Sequence, residues 1–152
     1  LGPAPSRRER PPPGCEVTEV PADAATPPLA VGALTLLGHR VTPTQLSKPG
    51  LVWVETWWQA AAPVSDYRWF FLRIDGPKDQ GAEPQSRWWG DHVACDWSWP
   101  PHRWSPGAII HDRYQIRSPH TLVKGDYTVS LGVFDGSGPR QGVHQLATVV
   151  VE

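Results

Sequence analysis

LVWVETWWQAA, residues 51–61, and DYRWFFLRID, residues 66–75, decide how this chain folds. In the first run Leu51, Trp53, Glu55, Trp57 and Gln59 alternate with Val52, Val54, Thr56, Trp58 and Ala60. The second set is apolar apart from one Thr, which makes it the expected core face of a strand. In the second run Tyr67, Trp69 and Phe71 fall on one face, and Phe70, Leu72 and Ile74 on the other. Pro63 and Asp66 mark a turn between the runs, and Asp75-Gly76-Pro77 ends the second.

The same texture extends outward. LAVGALTLLGHRV (29–41) precedes the Lys48-Pro49-Gly50 turn. AIIHDRYQIR (108–117), DYTVSLGVFD (126–135) and HQLATVVVE (144–152) follow, with turns at Ser105-Pro106-Gly107 and Lys124-Gly125. Tyr127, Val129 and Leu131 alternate with polar or small neighbours, and Asp135-Gly136-Ser137-Gly138 is a hairpin signal. About six strands with no 3.6-residue apolar pattern predict an all-β chain, an antiparallel immunoglobulin-like β-sandwich. The 18 Pro and 14 Gly among 152 residues exclude a helical bundle. The sandwich is expected over residues 29–152. Residues 1–28 carry eight Pro and a basic cluster, Arg7, Arg8 and Arg10. They read as a Pro-rich extended tail or linker, or a strap along a surface, without regular secondary structure. The chain starts at Leu1 and has no Met, which fits a processed product or a fragment.

Charge narrows the partners. Fourteen Lys and Arg against 15 Asp and Glu give a net −1, without the basic excess of a nucleic-acid binder. No 18-residue apolar run is present, so no membrane span is expected in this chain. Phosphate-cradling glycine motifs and the G-x-S-x-G nucleophile motif are absent, and no cofactor is expected. Asp91, His92, Cys95, Asp96 and His102 are the one cluster with metal-ligand spacing. It lacks the paired cysteines of a structural zinc site, so it reads as a polar loop.

Nine tryptophans are the loudest feature. Trp57/Trp58 and Trp88/Trp89 are adjacent pairs, so one member of Trp57/Trp58 faces away from the core. That Trp packs under the long loop, stacks on a sugar ring, or anchors a protein interface. Residues 87–104 concentrate Arg87, Trp88, Trp89, Trp97, Trp99, Arg103 and Trp104. Together with Trp57, the first six of these are the candidate binding residues. The two cysteines, Cys15 and Cys95, either form a disulfide pinning the tail onto this loop or remain thiols, depending on compartment.

Trp57-Trp58-Gln59-Ala60, Pro63 and the run Asp66 to Asp75 resemble the "YWQA…P…DYxVFVHLxD" stretch of a bacterial β-sandwich domain. Such domains are appended to integral membrane glycosyltransferases and related cell-envelope proteins. Trp104-Ser105-Pro106-Gly107 with Ile109, Ile110, Asp112 and Tyr114 is similar to its "WxPGEVVxDxY". Residues 124–135 are similar to its "PGxYxLxVGLYD". The resemblance spans about residues 33 to 151; the 88–104 loop departs from the pattern. It implies an extracytoplasmic location, periplasmic or cell-surface, an accessory role and no catalytic residue. The function expected is a non-catalytic module contacting envelope glycan through exposed Trp. The alternative is a protein-interaction subunit that docks onto a larger membrane-associated assembly through its tail and Trp-rich loop.

Overall fold

The computed structural model describes residues 10–77, 87–134 and 141–152. The Arg7–Arg8 pair and the Asp135–Gly138 turn lie outside the described residues. Among the described residues ten strands form two five-stranded sheets. They are β1 (Glu16–Val17), β2 (Ala25–Val31), β3 (Leu34–Thr42), β4 (Gln45–Leu46), β5 (Leu51–Gln59), β6 (Trp69–Asp75), β7 (Arg87–Trp89), β8 (Ile109–Arg117), β9 (Gly125–Phe134) and β10 (Gln141–Val151). The first sheet runs β1-β8-β5-β3-β2 and the second β4-β10-β9-β6-β7. Among the described residues the strand pairings are antiparallel except β4 with β10. The chain is an all-β sandwich, and among the described residues no helix could cross a membrane.

Period-2 alternation explains the core. Val52, Val54, Thr56, Trp58 and Ala60 are all buried, as are Phe70, Leu72, Ile74, Tyr127, Val129 and Leu131. Trp58 from the first sheet stacks on Phe70 from the second, centroids 4.7 Å apart, and fills the gap between sheets. The indole N–H of Trp58 donates to Thr56 Oγ1 at 2.7 Å, which lets a polar edge sit in a dry core. The Tyr127 hydroxyl donates to the Val123 carbonyl at 2.7 Å, tying the start of β9 to the preceding turn.

Two expectations are corrected. The 29–41 run is not one strand: Gly32, at φ 60, turns the chain between Val31 and Leu34, which pair across a two-residue hairpin. Residues 1–28 are also not wholly without regular structure. β1 pairs with β8, and β2 crosses the compositional boundary at 28/29. Pro27 and Pro28 are accommodated because the β2–β3 register is irregular between Ala25 and Leu29.

The N-terminal segment also crosses the outer face of the first sheet. A Cβ at Gly38 would sit 2.6 Å from the Ala24 carbonyl oxygen and 2.8 Å from Val20 Cγ1, so only glycine permits this approach. The Ala24 carbonyl accepts from the His39 N–H at 3.0 Å. Gly38 is opposite Trp57 in the sheet, and Trp57 is buried. Trp57 stacks flat on His111 at 4.4 Å, with the Arg40 guanidinium 5.4 Å from its centre.

On this face Glu55 is clamped by Arg40, at 2.8 and 3.2 Å, and by His111 Nε2 at 3.1 Å. Burial opposes ionisation of Glu55, but the hydrogen bonds and charges of Arg40 and His111 outweigh it and hold the carboxyl below its ordinary value of 4.5. A carboxyl depressed by folding contributes stability above its unfolded pKa and loses it as pH falls through the folded one. Urea unfolding followed from pH 7 to pH 3 is therefore expected to show a stability loss on the acid side that Glu55→Gln flattens. An unchanged slope in that variant would assign the acid sensitivity to other carboxylates.

Candidate functional site

The loop between β7 and β8 builds the candidate site from its covalent anchor upward. Cys95 is joined to Cys15 by a disulfide, Cα atoms 5.7 Å apart, and both cysteines are buried. The Cys15 carbonyl accepts from the His111 N–H at 2.7 Å, which docks the N-terminal segment beside β8. Immediately after the anchor, Cys95, Asp96 and Trp97 adopt φ of 56°, 58° and 67°. Three successive non-glycine residues in the left-handed region are costly, about 1–2 kcal/mol each. The turn is closed by Trp97 N–H to Val93 O at 3.0 Å and Trp99 N–H to Ala94 O at 3.1 Å. Ser98 Oγ donates to Cys95 O at 2.6 Å.

Beneath the turn lies a buried polar pair. His92 Nδ1 faces the Gly90 carbonyl at 2.7 Å, an acceptor only, so Nδ1 carries a proton. His92 Nε2 meets Asp112 Oδ2 at 2.5 Å, and Asp112 Oδ1 accepts the Cys95 N–H at 2.9 Å. Tyr114 stacks on the imidazole at 3.9 Å, and Phe70 meets it edge-on at 5.5 Å. Asp112 therefore fixes both the histidine and the first residue of the left-handed turn. The loop histidine and aspartate with metal-ligand spacing are committed elsewhere, His92 to Asp112 and Asp91 to Arg73. Among the described residues no group of three or more such side chains is placed to hold a metal.

The turn displays Trp97, 56% exposed, toward Tyr67, 48% exposed, across an open groove of about 720 Å³. The 3₁₀ turn Pro101–Arg103 adds His102 and Arg103, and the N-terminal segment adds Arg10 and Pro12. His102 and Tyr67 rings lie 5.8 Å apart. Pro100 precedes the 3₁₀ turn, and Trp104 Nε1 donates to Trp99 O at 2.8 Å, so this wall is stiff. Aromatic faces flanked by guanidinium and imidazole donors suit a ligand with an apolar face and polar rim.

The predicted binding residues divide. Trp97 and Arg103 line the groove. Trp99 is buried beside it, with Arg103 5.8 Å from its ring centre. Trp57 and Trp88 are buried too, against the expectation of a contact surface: Trp57 lies on the face crossed by the N-terminal segment, and Trp88 packs on Tyr127 at 4.7 Å. Trp89, 61% exposed, is not part of the groove wall. It covers the Arg73 guanidinium at 3.8 Å, and Phe71 lies 4.3 Å from the same group. Arg87 pairs with Asp75 at 2.5 Å and lies 5.6 Å from the Trp89 ring. Tyr67 and Arg10 were not predicted as site residues. Tyr67 carries a legible signal, since it heads the Tyr67, Trp69, Phe71 series facing away from the core; Arg10 carries none beyond its charge. No family model, curated protein or solved structure matches the chain.

Proposed function

We propose that the chain is a non-catalytic, extracytoplasmic accessory module that contacts envelope glycan through the Trp97 groove. The observation that carries this reading is the left-handed turn at Cys95, Asp96 and Trp97, which ends on an exposed indole. Backbone strain of this kind concentrates where a structure needs a side chain in one place. An indole and a phenol ring facing an open groove present flat apolar surfaces to the C–H face of a pyranose, and the adjoining donors suit its hydroxyls. The disulfide supports an oxidising compartment, periplasmic or cell-surface. The Tyr127–Val123 bond supports an immunoglobulin-like sandwich, where a tyrosine at a strand corner bonds back in this way.

The test separates Trp97 from Trp99. Trp97→Ala is expected to weaken binding to an envelope oligosaccharide about tenfold or more in titration calorimetry, with the thermal midpoint nearly unchanged. Trp99→Ala removes a buried ring and is expected to cost about 3–5 kcal/mol of stability. Loss of fold in Trp97→Ala, or undiminished binding, would remove the reading's support.

A second reading, a protein-interaction subunit of a membrane-associated assembly, is favoured by Trp89. An exposed indole backed by Arg73 and flanked by Arg87 has the residue composition of an interface anchor. Trp89→Ala is the matching variant: it should release a partner protein and leave oligosaccharide binding unchanged.

A further inference from the structure

We propose that residues 113–117 of β8 take up an extended peptide strand of a partner protein, one with acidic side chains at alternate positions. This surface is separate from the Trp97 groove and does not depend on the glycan reading. β8 lies between β1 and β5, but β1 pairs only with Ile109 and Ile110, whereas β5 pairs along 110–117. The His111 N–H donates to the Cys15 carbonyl at 2.7 Å, so the odd-numbered residues of β8 turn their backbone groups away from β5. Beyond His111 these are Arg113, Gln115 and Arg117, all exposed. Among the described residues, no strand pairs with this length of β8 on the side away from β5. It is a sheet edge whose N–H and C=O groups match those of an incoming strand.

The chain's own N-terminal segment is unsuited to this edge. Extended past Cys15, the β1–β8 register would set Pro13 opposite Arg113 and Pro11 opposite Gln115. Those are the positions where the ladder needs an N–H, and proline has none. Gly14, at φ 82, turns the segment instead, and an open cavity of about 450 Å³ lies among Pro12, Pro13, Cys15, His111 and Arg113. A second copy fits no better. Antiparallel pairing centred on Gln115 would set Arg113 of each chain opposite Arg117 of the other, and like charges directly opposite are destabilising.

The side chains define the partner. Arg113, Gln115 and Arg117 share the outer face of the first sheet, and Tyr114 and Ile116 between them are half-buried and buried. The Arg113 guanidinium lies over the Trp53 ring at 3.8 Å. Glu55, opposite Arg113 in the sheet, is held by Arg40 and His111. Among the described residues neither Arg113 nor Arg117 forms an ion pair. Asp96 borders the cavity at the Arg113 end, so Arg117 is expected to contribute the larger share of the charge preference. A strand laid along this edge places acidic residues opposite the two arginines and β-branched apolar residues opposite Tyr114 and Ile116.

The probe is a seven-residue peptide, blocked at both ends, with glutamate at its second and sixth positions, valine at its third and fifth, and threonine at its fourth. Added to the intact, oxidised chain, it is expected to slow amide hydrogen exchange at Arg113, Gln115 and Arg117 about tenfold or more. N-methylation of its fourth residue, whose N–H faces Gln115, should abolish the effect; N-methylation of its third, whose N–H points away, should preserve it. A peptide with lysine in place of glutamate should bind the parent about tenfold or more weaker, and should be the preferred peptide of the double variant Arg113→Glu with Arg117→Glu. If that variant does not fold, the charge and N-methyl comparisons on the parent decide alone. Exchange unchanged at about 1 mM glutamate peptide, equal effects of the two N-methylations, or equal binding of the two charge forms overturns the inference. Protection of the same amides that rises with protein concentration in the absence of peptide also overturns it, by assigning the edge to a second copy.

Discussion

Replacing Cys15 and Cys95 together with serine is expected to lower the unfolding free energy by about 4 kcal/mol and to abolish ligand binding in the groove. The link closes 80 positions of chain, and a loop of that size carries about 4 kcal/mol of unfolded-state entropy. The groove suffers separately. Arg10 and Pro12 stand on the Cys15 side of the bond, and Trp97 and Ser98 on the Cys95 side. Asp112 still holds the Cys95 N–H, so the left-handed turn does not relax freely and little strain relief offsets the loss. Urea unfolding and titration calorimetry of the double variant measure the two effects, and mass spectrometry of the native chain before and after reduction checks the bond itself. A stability change under about 1 kcal/mol, with binding intact, would show that β1 and the Gly38 crossing hold the N-terminal segment without the bond.

Asp112→Ala is expected to cost about 2–6 kcal/mol, roughly 1–3 kcal/mol for each buried hydrogen-bonding group left without its partner. Two buried donors lose their acceptor at once: the Cys95 N–H and the proton between His92 Nε2 and Asp112 Oδ2. Asp112→Asn should be far milder, under about 1.5 kcal/mol. Its carbonyl can accept from Cys95, and its amide can donate to a neutral His92 that keeps its Nδ1 proton on Gly90. If the two variants destabilise equally, the carboxylate charge rather than the hydrogen-bond pattern holds this corner.

Half-buried strands are legible because their side chains alternate, and the alternation survives in the composition. That is why 51–61, 66–75 and 126–135 reveal their core faces, down to Thr56 beneath the Trp58 indole. Trp57 marks the limit. Its parity places it on the face away from the core, yet it is buried on the face that residues 20–24 cross at Gly38. Nothing within ten residues of Trp57 announces that. Prolines hid β2 for a related reason: their cost is absorbed by an irregular register with a single partner strand, visible only once β3 is in place. In the 87–104 loop no period exists, so Trp97 and Trp99 look alike in sequence. A backbone turn anchored to Cys15 and Asp112 exposes one and leaves the other buried. The groove itself joins residues 10, 67 and 97, and no local pattern links them.

The proline pair in β2 has a consequence for self-association. The outermost strand of a sheet is a template on which another chain can grow. At one margin of the first sheet, β2 carries Pro27 and Pro28, both exposed and both without an amide hydrogen. At the other margin β1 is two residues long, and the second sheet ends in β4 and β7, two and three residues. At the β2 margin, Pro27 and Pro28 interrupt the run of donors that an incoming strand would need. At that margin, the prolines that first read as part of a structureless tail act against edge-to-edge pairing with another copy.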